Sequence, residues 1–216
     1  MSALTDYARN KVQDALKRGQ TLGAPATLYF ALLKCTKGAR ANSTAYALND
    51  TIAVLPNGAT YYKLYKCTTA GTTAASQSTL YPGVANEVIT DGTAVFTEQT
   101  SALNAGTAQV EPSTGGYARV AITASLANFS GTQGAGTTTA SSGATGQVSN
   151  NVAITFPTIT ADYQGASEGI WGWCIYDAAT AGNPWEFGGM TIVQKVLNGQ
   201  SPASFAAGVL ASTLGA

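Results

Sequence analysis

Asp162, Glu168, Asp177 and Glu186 are the carboxylates with which the later part of this chain could attempt acid–base chemistry. Two carboxyl groups at a fixed separation carry out glycoside hydrolysis, one protonating the leaving oxygen and the other acting as base or nucleophile. Each of the four sits beside turn residues, where an acidic side chain ordinarily binds its own backbone. No sequence spacing fixes any two of them as a pair. The chain has no histidine, which removes the usual general base of Ser-His-Asp and Cys-His sites and the usual ligand of zinc and iron. GTQGAG at 131–136 has closely spaced glycines, but it lies in a Thr- and Ser-rich loop with no helix pattern after it, so it is no dinucleotide fingerprint. No calcium-loop run of alternating Asp and Asn is present. The sequence therefore assigns no catalytic residue, no metal ligand and no cofactor, and the expected protein is not an enzyme.

Aromatic and basic residues offer binding in place of catalysis. Trp171, Trp173 and Trp185 admit a ligand platform, but they read better as core and subunit-interface anchors, because tryptophan buries a large area at low entropic cost. Arg119 follows Tyr117 on a strand face in a chain poor in charge. It is expected to pair with Glu111 or Asp162, or to bond backbone at an interface.

Charged residues make up only 10% of the sequence, against about 25% in an ordinary soluble domain. Eleven basic and eleven acidic residues cancel. That balance argues against a nucleic-acid partner, which needs a basic face, and against a polybasic membrane contact. Polarity comes instead from hydroxyls and amides, with 24 glycines scattered among them. An apolar fraction of 45% and an aromatic fraction of 9% point to a folded chain rather than a disordered one. The opening MSALTDYARNKVQDALKRG carries charges throughout and is not expected to be a secretory signal. No apolar run approaches the ~18 residues of a membrane span. Cys35, Cys67 and Cys174 are too few and too far apart for a disulfide scaffold. They are expected to be buried thiols of a protein made in a reducing cytoplasm, with a Cys35–Cys67 bridge as the alternative.

These side chains need elements to hold them. Residues 4–18 carry the one good helix pattern, with Leu4, Ala8, Val12, Ala15 and Leu16 on one face and Tyr7 beside them, a stripe that either packs on its own β domain or docks a partner subunit. Ser2 is the expected cap and Gly19 the left-handed stop. TLYFALLKC (27–35) is apolar throughout and predicts a strand buried on both faces. Residues 40–104 change texture, with short β-type runs separated by PNG and DG turn signals. A strand is expected from GGYARVAIT (115–123). Residues 130–150 form a long loop without apolar period, of the kind held by a neighbour or used in function. NVAITFPTIT (151–160) is another strand, which Pro157 either ends or places at a sheet edge. In GIWGWCIYDA (169–178) alternation sets Ile170, Gly172, Cys174 and Tyr176 against Trp171, Trp173 and Ile175. WEFGGMTIVQKVL (185–197) and SFAAGVLASTL (204–214) complete the body. The expected fold is mainly β: a β-sandwich, with jelly-roll connections among its options, one N-terminal amphipathic helix and a small inserted β module.

LTDYARNKVQDALKRGQ, APATLYFALL, GGYARVAI, SNNVAITFPTITADY, IYDAATAGNPWEFGGM and SFAAGVL, in that order, resemble a family of small bacteriophage tail-fibre or virion-decoration proteins. The resemblance covers residues 1–36 and 113–214. Between them, STAYALND, YKCTTAGTT and VITDGTAVFTE look like a small β module of phage tail proteins that is distantly similar to chitin-binding-type carbohydrate modules. In such modules an aromatic residue, typically Trp, stands just before the STAY-like stretch and helps form a sugar platform. Here Arg40 stands near that place, and Tyr46, Tyr61, Tyr62, Tyr65 and Tyr81 remain for sugar contact. The resemblance implies three parts: an attachment helix at 1–20, a virion domain at 21–39 and 105–216, and the module at 40–104. It implies a non-enzymatic virion structural protein, a capsid decoration or a tail or collar fibre, assembled in the host cytoplasm. Its expected partners are further copies of itself, taken as a homotrimer, and a capsid, collar or tail protein. Leu4, Tyr7, Val12, Leu16, Trp171, Trp173 and Trp185 are the expected interface residues. The alternative is binding of a host-surface glycan through the module, and neither nucleic acid nor membrane is an expected partner.

Overall fold

The computed structural model describes residues 2–77, 81–131, 139–141 and 146–213. In chain order they form β1 (Ser2–Leu4), α1 (Asp6–Arg18), β2 (Thr27–Cys35), β3 (Ala45–Tyr46), β4 (Thr51–Val54), β5 (Lys63–Thr69), β6 (Gly71–Thr72), β7 (Val88–Asp91) and β8 (Ala94–Glu98). The short α2 (Thr100–Asn104) follows, then β9 (Val120–Thr123), β10 (Phe129–Ser130), β11 (Gln147–Asn150), β12 (Ile154–Thr155), β13 (Gly169–Tyr176), β14 (Pro184–Gln194), β15 (Ser204–Phe205) and β16 (Ala211–Thr213).

A five-stranded antiparallel sheet in the order β1-β14-β13-β2-β9 is the central layer. On one face Phe30 and Leu32 of β2 and Ile170, Trp173 and Ile175 of β13 pack against Ile154, Phe156 and Phe205. Those partners belong to the second layer, built from the small sheets β10-β11-β16 and β12-β15. On the other face Ala31, Leu33 and Cys35 alternate with them and join Trp171, Cys174, Tyr176 and Phe187. That second face is covered by the segment between β2 and β9, through Ala53, Leu64 and Leu103. Both faces of β2 are therefore buried, as its unbroken apolar run predicts. The architecture is a β-sandwich with the insert as a third layer.

The insert has a core of its own, in which Ile52, Val54, Tyr65, Cys67, Tyr81 and Phe96 are buried. Its sheet runs β4-β5-β8-β7. The DG signal makes the β7–β8 hairpin, where Asp91 pairs with Ala94 and Gly92 takes φ 66°. The PNG signal makes the turn after β4, closed by Ala59 N donating to Pro56 O at 3.0 Å with Gly58 at φ 74°. Docking onto the body depends on Gly189: a Cβ there would meet the Tyr62 carbonyl oxygen at 2.0 Å. The amide of Tyr62 donates to Met190 O at 2.9 Å, so the insert loop runs along β14 where β1 has stopped.

Several expectations need correction. The helix begins later than the Leu4 stripe predicts, because Ser2–Leu4 pair with Gly188, Phe187 and Glu186 of β14. Thr5, not Ser2, is the cap; its backbone is extended and its Oγ1 accepts from Ala8 N at 3.3 Å. Gly19 ends the helix at φ 65°, as predicted. The alternation along β13 is broken by a register shift between Ile170 and Gly172. The bulge puts Ile170 with Trp173 and Ile175 on one face, and Trp171 with Cys174 and Tyr176 on the other. The expected strand over 151–160 is reduced to Ile154–Thr155. Of the expected loop at 130–150, residues 132–138 and 142–145 lie outside the described residues, and Gln147–Asn150 is a strand paired to β10 and β16. The thiols of Cys35, Cys67 and Cys174 are free and buried, so the Cys35–Cys67 alternative is not formed. Burial pushes Cys35 up to about 11 and Cys174 up to about 12.

Candidate interaction surfaces

Helix α1 is fixed to the body by its first turn. Thr5 Oγ1 donates to Pro184 O at 2.5 Å, Ala8 is buried, and Tyr7 meets the Trp185 ring edge-to-face at 5.5 Å. Arg9 adds a 3.3 Å hydrogen bond to Asn104 Oδ1 of α2. Beyond that turn the helix is less covered: Val12 is half-buried and Leu16 is 74% exposed. The chain then returns to β2 through exposed residues 19–24, with Leu22 among the exposed apolar side chains. Of the expected interface residues, Leu4 is held in β1, Tyr7 and Trp185 pack on each other, and Trp171 and Trp173 are core residues on opposite faces of β13. Both core tryptophans are largely enclosed, at 2% and 6% exposed, because the second layer and the insert cover one face each.

The tyrosines expected to touch sugar divide by burial. Tyr46, Tyr65 and Tyr81 are core residues of the insert, each with its hydroxyl engaged. Tyr46 accepts from Ala41 N at 3.0 Å, Tyr65 donates to Glu87 Oε1, and Tyr81 donates to Asp91 Oδ2 at 2.9 Å. Burial and the neighbouring carboxylates push the Tyr65 and Tyr81 hydroxyls well above the usual phenol range. Their ring faces pack on each other edge-to-face at 5.0 Å, which leaves none for a pyranose. Tyr62 packs toward the body and Tyr61, 41% exposed, is the open one of the set.

Arg40, just ahead of the STAY stretch, is not a surface residue. Its side chain is 2% exposed and that of its partner Asp91 is 0% exposed. Nε and Nη2 of Arg40 donate to the two carboxylate oxygens at 2.6 and 3.0 Å, and Nη2 also reaches the carbonyls of Ala74 and Ser76. Asp91 accepts further from Ala74 N at 2.8 Å. Burial alone would raise the Asp91 carboxyl, but the bonds from Arg40, Ala74 and Tyr81 outweigh it and hold it below the usual range. Sequence reading missed this pair, although a charge-poor chain with a lone Arg beside an STAY-like stretch called for a carboxylate somewhere.

Arg119 does pair with Glu111, bidentately through Nε and Nη2, the shortest contact being 2.7 Å. Its Nη1 donates to Ala178 O and Ala181 O at 2.7 Å each, and the guanidinium lies 3.5 Å from the centre of the Tyr176 ring. One side chain thus ties β9, the exit of the insert and the β13–β14 turn together. Three of the four carboxylates considered for acid–base work are held as turn and ion-pair residues, and the fourth stands in a strand. Glu168 accepts from Lys34 Nζ on both oxygens at 2.9 Å, Asp177 from Asn183 N at 2.7 Å, and Asp162 from Asn198 N at 2.8 Å. Glu186 lies on β14 between Leu4 and Ile175.

The sandwich is open at one end. A cleft of about 300 Å³ lies between β14 and the β15–β16 connection, floored by Leu32, Trp173 and Phe205. Tyr61, Ile192, Val209 and Leu210 form its rim; Ile192 is 55% and Val209 61% exposed. No lining residue is charged.

The chain is thus a charge-poor, layered β body with a half-covered N-terminal helix and an uncharged cleft. The family model described as podophage GP4 fiber I protein gp80 matches residues 93–213, more than half of the 216 residues, and the chain belongs to that family. It is a bacteriophage virion structural protein of the tail-fibre type. The match opens in the hairpin before β8, so it takes in the last strand of the insert, α2 and the C-terminal body. No curated protein matches the chain. Among the described residues no helix is long and apolar enough to cross a membrane.

Proposed function

We propose that this chain is a non-enzymatic fibre subunit that associates symmetrically with copies of itself and docks on the particle through α1. The carrying observation is the anchoring of α1 by one turn, with Leu16 left 74% exposed on the rest of the helix. An amphipathic helix that buries only part of its stripe retains apolar surface for a partner. In this reading residues 1–20 are the attachment element, 21–39 with 105–216 the fibre body, and 40–104 a module that stiffens the body and faces its neighbours. The module works as a spacer and contact layer rather than a lectin, because Arg40 is consumed by Asp91 and the rings of Tyr46, Tyr65 and Tyr81 are enclosed. A trimer is the expected assembly.

The test is deletion of residues 1–18 in the phage. Truncated protein is expected to stay folded, with a near-UV spectrum close to that of the full chain, and to be missing from purified virions. Entry into virions at normal copy number would remove α1 as the docking element.

A further inference from the structure

Two turns of this chain set an asparagine directly before a glycine, Asn57–Gly58 after β4 and Asn198–Gly199 after β14. Glycine has no Cβ to shield its amide nitrogen, so that nitrogen can reach the side-chain carbonyl carbon of the residue before it. Both turns are closed in the same way. Ala59 N donates to Pro56 O at 3.0 Å and Gln200 N to Leu197 O at 3.1 Å, which puts each asparagine second and each glycine third in its turn. Gly58 takes φ 74° and Gly199 φ 83°, and nothing lies within 4 Å of where either Cβ would stand. All four residues are exposed. Among the described residues neither asparagine side chain and neither glycine N–H makes a hydrogen bond. The electrophile can rotate, and the nucleophile is not engaged.

We propose that Asn57 and Asn198 are self-modification sites, where the folded chain converts each asparagine to aspartate and isoaspartate with water as the co-reactant. The glycine nitrogen attacks Cγ; the N–Cγ bond forms, the Cγ–Nδ2 bond breaks, and ammonia leaves with the glycine amide proton. Water then opens the cyclic imide at either carbonyl, and nothing is oxidised or reduced. Opening one way gives aspartate, and opening the other gives isoaspartate, whose main chain is longer by one carbon. Eleven basic and eleven acidic residues give a starting charge of 11 − 11 = 0, so the two conversions take the chain to −1 and then to −2. At Asn198 the new carboxylate joins Asp162, whose Oδ1 accepts from Asn198 N at 2.8 Å. At Asn57 the lengthened chain alters the turn leading to Tyr62, whose amide ties the insert to Met190 O. The fold spares other candidates. Asp91 also precedes a glycine, but its carboxylate is enclosed and bound by Arg40, Ala74 N and Tyr81, and a carboxyl group cyclises readily only when protonated. Asn42 precedes a serine, and its Oδ1 accepts from Arg40 Nη1. Asn183 precedes Pro184, which has no N–H to lose.

The test incubates the full, folded chain for several weeks in mildly alkaline buffer at physiological temperature, in ordinary and in heavy-oxygen water. Isoelectric focusing is expected to show the starting band giving way to two successive acidic bands. After denaturation and trypsin, peptides 41–63 and 196–216 are expected to carry the amide-to-acid mass gain with the heavy oxygen incorporated, and fragmentation to place it at Asn57 and Asn198. Peptide 67–119, which holds Asp91, is expected to stay free of isoaspartate in the folded chain and to acquire it in urea, read by isoaspartyl methyltransferase labelling. Asn57→Gln and Asn198→Gln change exposed side chains, so each is expected to keep the wild-type melting temperature and to lose one acidic band entirely. The double variant is expected to lose both. A folded chain that keeps its single band while the urea-unfolded chain converts would overturn the proposal, because the fold would then be protecting both turns. So would acidic bands that survive in the double variant, or a mass gain mapped to any other asparagine in their place. Conversion at one of the two positions alone would overturn the assignment of the other.

Discussion

Asp91→Ala is the substitution whose consequence the structure specifies most closely. The side chain is fully enclosed and accepts hydrogen bonds from Arg40 Nε, Arg40 Nη2, Ala74 N and Tyr81 Oη. Alanine leaves the Arg40 guanidinium buried and bonded only to Asn42 and to the carbonyls of Ala74 and Ser76, with its charge uncompensated. Removing one member of such a pair costs about 3–5 kcal/mol, a large part of the roughly 5–15 kcal/mol that holds a domain together. For a chain of this length that lowers the melting temperature by about 6–20 °C. Calorimetry measures the shift, and the tyrosine near-UV signal reports whether the insert loosens first. The double variant Arg40→Met with Asp91→Leu removes both charges and is expected to recover about 1–2 kcal/mol, although Ala74 N and Tyr81 Oη lose their acceptor. A cost below about 1 kcal/mol for Asp91→Ala, or a double variant no better than the single one, would refute the view that Arg40 serves the insert as half of a buried ion pair.

Other outcomes follow from the same structure. Arg119→Lys keeps the charge but loses the fork to Glu111 and the stacking on Tyr176; urea unfolding is expected to show a loss of about 2–3 kcal/mol. Acid sensitivity comes from Asp91, Glu168 and Asp177, in each of which burial raises the carboxyl but donated hydrogen bonds outweigh it and hold it below its usual range. Their folded values lie under the unfolded ones, so their stabilisation is complete above about pH 5 and is lost as pH falls through the folded values. Melting temperature is therefore expected to fall on acidification below about pH 5; a protein most stable there would contradict the assignment. Titration with bacterial polysaccharides, followed by tyrosine fluorescence, is expected to give no saturable response, and a saturable one would restore sugar binding at the insert, with Tyr61 the first residue to substitute.

Much of the body was legible because its signals are local. The apolar run of 27–35 has nowhere to go but a two-sided core, and Gly19 stops a helix for reasons of its own backbone. The partners of Arg119 could be narrowed to Glu111, Asp162 or backbone because so few charges compete for it. The start of α1 was misplaced because Leu4 suits the helix stripe and the strand equally, and only pairing with β14 decides. The faces of β13 were misassigned because alternation cannot register a bulge, although Gly172, whose Cβ would meet the Gly188 carbonyl at 2.7 Å, was its local mark. The site fared worse than the fold. Whether Tyr46 or Tyr61 is open depends on which layer covers it. Arg40 and Asp91 are separated by 51 positions, and Asp91 in a DG turn looks like an ordinary turn residue.

The central claim is that this is a fibre subunit assembled through its helix, and the direct measurement is an image reconstruction of the intact particle at side-chain resolution. The account predicts copies in a symmetric fibre, the distal half of α1 covered in each by an adjoining chain. Copies with Leu16 facing solvent at every position would contradict it.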